Sequence, residues 1–541
     1  MGGLTVAHFV RRVPFRGKQL NPFDANGNFH PIATGVALRR SAIQGAGAAI
    51  TGQAGSFFLG IGSVVILARL LTPADFGTVT MVTTFSLLFR SFGLNGFTEL
   101  VMQRDDLTRA LVTNLFWIEL GLGILLTVAF AASGRLLGTL FHNSLVAPVA
   151  AGMSLTIGMG CLGWIHLGLL QRAMQFRTTA IINFLGNLIY VVAAIALALC
   201  GWHYWALVWS AVAQSMVVSI GAWLVCRWIP GLPGRASGTG SGVKFAMNVY
   251  AHFAFSYSTR NTDNLLVGWR FGAQSLGLYK KAYDLFVLPE SQLLPPLSAV
   301  VVSTLSRVKG DRGQFQRYFL RVVSILALVG MGVGVDFALI GKEIIRVLLG
   351  PGWGQAGRIF SVFGPGVGVM LLYSTHGWVH LSIGRPERWL RWGLIEFACT
   401  ASLFLLMLRW GPSGVALAWT VSYFLLLLPG LWYAGQPIDL GIGPILAVVW
   451  KLFAASAVSG CATWLIFHAV PAGALGSGVP GALMRASSAS LVFVALYSLG
   501  IAILYKGFRP ITDAAALIGE FLPESMSRPP VVSQVVPMGD D

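Results

Sequence analysis

An ionisable side chain at the centre of a lipid-facing helix costs at least ~2.5 kcal/mol on insertion scales, so charge inside an apolar segment marks a face turned to protein or water. The segment 246–269 holds Asn248, His252, Tyr257, Arg260, Asn261, Asp263 and Asn264. Helical spacing places Tyr257, Arg260, Asn261 and Asn264 on one face. The next segment, 275–303, adds Lys280, Lys281, Asp284 and Glu290, and is interrupted by Pro289, Pro295 and Pro296. Its hydrogen-bond ladder is expected to kink or break in mid-membrane, as helices that line cavities do. At a rise of ~1.5 Å per residue, Arg260 and Asp284 fall at comparable depth and could pair across neighbouring helices. These groups offer recognition along a pathway; the plainer alternative is a set of structural ion pairs within each bundle.

Other patterns that suggest chemistry fail on context. GMGCLG (158–163) fits the dinucleotide fingerprint but lies inside an apolar helix with no preceding strand, so close packing through small residues is the better reading. His376 and His380 are spaced to face one metal, yet the Glu of H-E-x-x-H and a third ligand are missing. They read as a hydrogen-bonded structural pair, and no metal or cofactor is expected. Cys161, Cys200, Cys226, Cys399 and Cys461 sit in or at the ends of apolar spans without C-x-x-C spacing, and read as buried small hydrophobes.

The elements that must position the polar residues follow from composition. Apolar residues make up 55% of the 541 positions and charged residues 11%, with runs long enough to cross ~30 Å of hydrocarbon recurring throughout. The expected fold is an all-α polytopic membrane protein of about fourteen transmembrane helices. Residues 1–45 form a cytoplasmic leader without a cleavable signal, 46–227 a six-helix bundle, 228–245 a cytoplasmic linker and 246–435 a second six-helix bundle. Residues 443–506 give helices 13 and 14, and 507–541 a cytoplasmic tail with an amphipathic stretch from Ile511 to Phe521.

The two bundles read as copies. LTPADFG (71–77) echoes as FGAQSLG (271–277), GWIHL (163–167) as GWVHL (377–381) and ALVW (206–209) as ALAW (416–419), at offsets of 200, 214 and 210 residues. An even number of spans per copy makes the halves parallel, related by an axis along the membrane normal, as in many alternating-access transporters. His380 then matches His166, both read as packing residues first. At the 200-residue offset Gly60 stands for Arg260 and Ser63 for Asp263, so the polar face belongs to one half only. Glu290 matches Arg90; the two would sit at matching heights on opposite walls and act as a latch, salt-bridged in one conformation and apart in another.

Basic residues crowd alternate short loops, among them Arg104, Arg109, Arg172, Arg177, Arg227, Arg235, Lys244, Arg307, Lys309 and Arg312. By the positive-inside rule both termini are cytoplasmic. The net charge of +17 reflects those loops beside an anionic leaflet. A nucleic-acid partner has no aromatic-studded basic domain to bind.

Three stretches carry a family likeness: VILARLLTPADFGTVTMV (65–82), LLQRAMQFR (169–177) and STRNTDNLLVGWRFGAQSLGLYKKAYDL (258–285). Over roughly residues 40–510 the chain resembles the Wzx-type polysaccharide flippases, the polysaccharide transporter branch of the multidrug/oligosaccharidyl-lipid/polysaccharide exporter superfamily. The leader is not part of the likeness. The resemblance implies a bacterial inner-membrane carrier that moves an undecaprenyl-pyrophosphate-linked oligosaccharide from the cytoplasmic to the periplasmic leaflet, for exopolysaccharide or O-antigen synthesis. It also implies a polysaccharide polymerase and a chain-length regulator as partners; we assume a monomeric functional unit. With that substrate, Arg260 and Lys281 become anion contacts, with Arg90 deeper in the path. Tyr257, Asn261 and Asn264 become contacts to sugar, and Asp263, Asp284 and Glu290 either orient the cations or take up coupling protons. A cation-coupled multidrug exporter of the same superfamily shares the architecture but needs an acidic, aromatic-lined pocket. A polymerase or acyltransferase needs a larger aqueous region than the outer connections near 133–145, 340–356 and 469–484 supply.

Overall fold

The computed structural model describes residues 21–29, 36–92, 96–104, 106–234, 238–470 and 476–513. The leader residues Arg11, Arg12, Arg16 and Lys18, the linker residue Arg235 and the tail from 514 onward, with most of the expected amphipathic stretch, lie outside them. Among the described residues the chain is helical, with β pairing limited to two isolated bridges. Ten helical stretches are long and apolar enough to cross a membrane, or eleven if one bent pair is counted as a span. Three of the ten, Arg260–Arg307, Pro351–Ser382 and Glu387–Ile438, each join more than one helix. The helix Pro73–Phe92 is not among the ten; it carries Asp75, Arg90 and six threonines or serines within twenty residues.

The chain forms two compact units, residues 1–281 with 348–353, and 282–347 with 354–541. The first contains α1 (Val36–Leu70), α2 (Pro73–Phe92), α3 (Thr98–Gln103), α4 (Arg109–Leu140), α5 (Val146–Cys161), α6 (Trp164–Arg172), α7 (Phe176–Leu199), α8 (Tyr204–Val225) and most of α9 (Thr239–Phe286). Here α4 packs on α5, and α7 on both α1 and α8. Because lipid tails give helices no hydrophobic reason to associate, side-chain hydrogen bonds matter. Asn187 of α7 donates to Ser56 Oγ of α1 (3.2 Å) and accepts from Gln214 of α8 (2.6 Å). The helix α1 begins at Val36, inside the stretch expected as leader.

The LTPADFG motif is a helix start. Thr72 and Asp75 bond each other's side chains and backbone N–H groups, the reciprocal arrangement of a capping box, with Pro73 at the first helical position. Asp75 also accepts from the Tyr204 N–H at 3.1 Å, tying α2 to the start of α8. In the echo FGAQSLG, the position of Thr72 is taken by Gly272, which bends α9 with φ +77°. An L side chain in that left-handed region meets its own carbonyl, so glycine is the residue that turns the chain there without strain.

Residues 21–29 and the linker close one end of the first unit. The Phe29 N–H donates to Leu107 O (3.0 Å), the Arg109 N–H donates to Gly27 O (2.7 Å), and Arg172 lies over the Phe29 ring. Phe23 is buried between Phe29 and Trp228. Asn114, Trp117 and Arg104 donate to Gly234 O, Gly231 O and Gly238 O of the linker.

The second unit contains the end of α9, α10 (Leu288–Arg307), α11 (Arg312–Leu348), α12 (Gly354–Tyr373), α13 (Thr375–Ser382), α14 (Pro386–Met407), α15 (Gly411–Gly435), α16 (Ile442–Ala469) and α17 (Gly478–Tyr505). Phe286 stacks on Phe363 at 4.5 Å, and Tyr283 meets Trp419, so the end of α9 is held by α12 and α15. Ser490 of α17 donates to Asp336 of α11 at 2.9 and 3.0 Å, and Tyr497 donates to Leu328 O. Helix α9 ends at Phe286 and α10 starts at Leu288 with Pro289 in its first turn, a break where the prolines led us to expect one. Both copies of the GWxHL motif follow a broken helix. In the first unit α5 and α6 meet at a 41° bend, and in the second Ser374 separates α12 from α13.

Candidate functional site

The polar face of α9 forms as the spacing predicts. Asn261 Nδ2 donates to Tyr257 O (2.9 Å), and Asn264 Nδ2 donates to Asn261 Oδ1 (3.1 Å), so the three residues run along one stripe. Tyr257 stacks against Phe253 at 5.7 Å. Arg260, within the same stretch, is exposed, whereas Asn264 is 1% exposed.

Asp263 has another position. It is fully buried; its Oδ2 accepts from Tyr279 Oη at 2.7 Å and its Oδ1 from the Asn264 N–H at 2.7 Å. Tyr279 lies beyond the bend at Gly272, so this carboxylate braces the two arms of α9. Five residues before the C-terminus of α9, the Lys281 ammonium sits 4.3 Å from the centre of the Phe76 ring, a cation–π contact that orients it. Arg90 is half-buried in the last turn of α2.

Those seven residues belong to the first unit; Asp284 and Glu290 belong to the second. Both are half-buried. Glu290, in the first turn of α10, accepts from Ser374 Oγ at 3.0 Å, at the break between α12 and α13.

The histidines pack. His166 is fully buried, stacks on Trp223 at 4.2 Å and donates from Nε2 to Trp228 O at 3.1 Å. His376 bonds the Tyr373 carbonyl through Nδ1, and meets His380 ring edge to ring face at 6.1 Å rather than by a hydrogen bond. No cluster of three or more His, Cys, Asp or Glu among the described residues is arranged to hold a metal ion. Cys161 and Cys226 are buried as expected, but Cys200, just past the end of α7, and Cys461 of α16 are exposed. GMGCLG closes α5 by packing, with Gly160 against the Trp164 ring and Gly158 beside Thr127.

Intramembrane acids outside the polar stripe escaped the sequence reading, although the same rule applies to them. Asp336 is bonded by Ser490. Glu119 of α4 is 1% exposed, and neither of its oxygens has a hydrogen-bond partner.

Residues 66–357 match the protein family described as "Polysaccharide biosynthesis protein". The chain belongs to that family. Among curated members of known name, this polysaccharide biosynthesis protein is 22% identical over 324 residues to the lipopolysaccharide biosynthesis protein WzxC of Escherichia coli K12, covering 59% of this chain and 65% of WzxC, just under two thirds of its length. It is 22% identical to the succinoglycan biosynthesis transport protein ExoT of Rhizobium meliloti, over 65% of this chain and 72% of ExoT. With the teichuronic acid biosynthesis protein TuaB of Bacillus subtilis it shares 25% identity, over 68% of this chain and 76% of TuaB. Its fold is similar to the lipid II flippase MurJ in an inward closed conformation, with TM-score 0.67 at 15% identity over 84% of this chain and 99% of MurJ. An inward-facing multidrug-resistance MATE transporter follows with TM-score 0.57, 13% identity, 71% of this chain and 94% of that one.

Proposed function

We propose that this chain is a carrier, not an enzyme, that moves an undecaprenyl-pyrophosphate-linked oligosaccharide from the cytoplasmic to the periplasmic leaflet of a bacterial inner membrane by alternating access. The product would feed exopolysaccharide or O-antigen synthesis. The observation that carries this reading is the stripe Tyr257–Asn261–Asn264 with exposed Arg260 beside it, on a chain of the polysaccharide biosynthesis family. A lipid-linked glycan presents a diphosphate, which guanidinium and ammonium groups bind with charge-assisted hydrogen bonds. It also presents hydroxyls, which amides and a phenol can bond. In this reading Arg260 and Lys281 hold the diphosphate, Arg90 meets it deeper, and Tyr257 and Asn261 meet sugar, while Asn264, first expected to do the same, is buried and orients Asn261.

Of the acids first considered, Asp284 and Glu290 orient cations or carry protons, while Asp263 supports the site by fixing the bend of α9. The site thus keeps an exposed arginine and internalises an acid, which favours an anionic cargo over the cationic drugs of a multidrug exporter. The architecture proposed is fourteen spans in two parallel six-helix bundles plus a terminal pair, with both termini cytoplasmic, working as a monomer beside a polymerase and a chain-length regulator.

The test is complementation of a strain lacking its own flippase by wild type and by Arg260→Ala, with membrane levels checked and the sidedness of lipid-linked glycan read by periplasmic accessibility. Restored outer-leaflet glycan with wild type, and glycan trapped inside with the well-expressed variant, is expected. Wild type that exports cationic dyes but leaves the glycan inside would overturn the reading.

A further inference from the structure

Glu119 lies ten residues into α4, about 15 Å along the helix from Arg109. One turn farther on, a side chain at Gly123 would strike Cys161 Sγ, so the end of α5 lies against that side of α4. One turn back, Phe116 meets the rings of His166, Trp223 and Trp228. The acid is therefore enclosed beside the break at Leu162 and Gly163, where α5 passes into α6.

A helix break frees backbone groups, and α8 takes up two of them. Ser219 Oγ donates to Met159 O (2.6 Å), and Trp223 Nε1 donates to Leu162 O (2.5 Å). Two donors of α8 are thus spent on the broken backbone, while neither carboxyl oxygen of buried Glu119 has a hydrogen-bond partner. The titratable groups on the elements packed here are Cys161 from α5, His166 from α6 and Cys226 after α8, with Arg172 at the far end of α6 and Tyr204 at the far end of α8. Arg90 of α2 follows Phe89, which meets α4 at Phe130, eleven residues beyond Glu119. No group of three or more His, Cys, Asp or Glu among the described residues is placed to hold a metal ion here. An unpaired carboxylate costs far more in such surroundings than the neutral acid does. An ionisable group walled in beside a discontinuous helix is the arrangement in which secondary transporters hold coupling ions.

We propose that Glu119 is a proton-carrying carboxyl of the transport cycle, a role that rests on the carrier reading above. With α4, α5 and α8 packed as in this structure it holds a proton as the neutral acid. When the break between Cys161 and Trp164 opens to water, it releases that proton to the water and stays as the carboxylate until it is reprotonated from the opposite aqueous phase. A proton gradient across the membrane then biases the cycle.

The test uses the full chain in lipid vesicles, with wild type, Glu119→Gln and Glu119→Asp matched for thermal stability. Infrared difference spectra read the carboxylic-acid C=O stretch in neutral buffer. An entrapped pH dye reads proton entry, and outward presentation of a polyprenyl-diphosphate-linked glycan is followed with and without an imposed proton gradient. We expect an acid band in wild type that Glu119→Gln removes, several-fold faster translocation under the gradient in wild type, no response in Glu119→Gln and a partial one in Glu119→Asp. A folded Glu119→Gln that keeps the band, or keeps the gradient response, overturns the proposal. Should wild type fail to move the glycan, the carrier reading falls, while the infrared band and the dye still decide whether Glu119 carries protons.

Discussion

Gly77 and Gly277 meet backbone to backbone. A Cβ built on Gly77 would lie 1.7 Å from Ala273 O, and one on Gly277 would lie 1.8 Å from Pro73 O. At the 200-residue offset Pro73 corresponds to Ala273, so the two clashes are one contact seen from each side. The two stretches that echo each other in sequence thus cross too closely for any side chain. Small residues are what allow such approach between helices in a membrane.

Alanine at either glycine should be severely destabilising, because the obstacle is backbone that cannot swing away. Overpacking a tight site costs about 1–3 kcal/mol and sometimes more. Thermal melting of detergent-purified Gly77→Ala and Gly277→Ala should show losses of similar size. A melt within error of wild type for either would mean that the crossing relaxes.

Gly272 should behave differently. A Cβ there meets nothing within 4 Å, so the burden of Gly272→Ala is its φ of +77° alone, about 1–2 kcal/mol. Its ψ of −179° puts it in a region that essentially only glycine occupies, so Gly272→Asn should melt as far below wild type as Gly272→Ala. A melt within error of wild type for either would show that the bend is not conformationally limited.

Tyr279→Phe removes the Oη donor from buried Asp263 and leaves the carboxylate short of a partner, a loss of about 1–3 kcal/mol. Tyr279→Phe combined with Asp263→Asn should recover part of it. Equal melting of single and double variants would rule out the brace between the arms of α9.

Arg260 is exposed, so Arg260→Ala should leave the chain folded while abolishing glycan presentation. Lys281→Ala should lose transport too, with some loss of stability because its ammonium lies on the Phe76 ring. Full transport by both folded variants would remove the cations from the pathway.

Phe23→Ala should release the leader from the first unit rather than unfold it. Phe23 is 7% exposed, wedged between Phe29 and Trp228. Hydrogen exchange at the Phe29 and Arg109 amides, which bond Leu107 O and Gly27 O, should accelerate while α5 and α8 stay protected. Unchanged exchange at both amides would show that the Phe23 ring does not hold the segment.

Much of this protein was legible in its residues because membrane crossing imposes a one-dimensional rule. Apolar length gave the helical membrane class, Pro289 gave the break before α10, and i, i+3, i+4 spacing gave the Tyr257–Asn261–Asn264 stripe; Pro295 and Pro296, expected to break the chain as well, lie inside a continuous α10. The echo of LTPADFG pointed to two stretches that the fold brings together. What spacing cannot supply is the partner of each polar group. Asp263 and Arg260 are three residues apart, yet one is internalised by Tyr279 and the other exposed, and only the bend of α9 at Gly272 decides which. Glu119 reads as one more acid in an apolar run until the packing around α4 buries it with no hydrogen-bond partner for either oxygen. Local sequence sets which groups must avoid lipid; tertiary contact sets whether they find a bond, a ring face or nothing, because that depends on residues tens or hundreds of positions away.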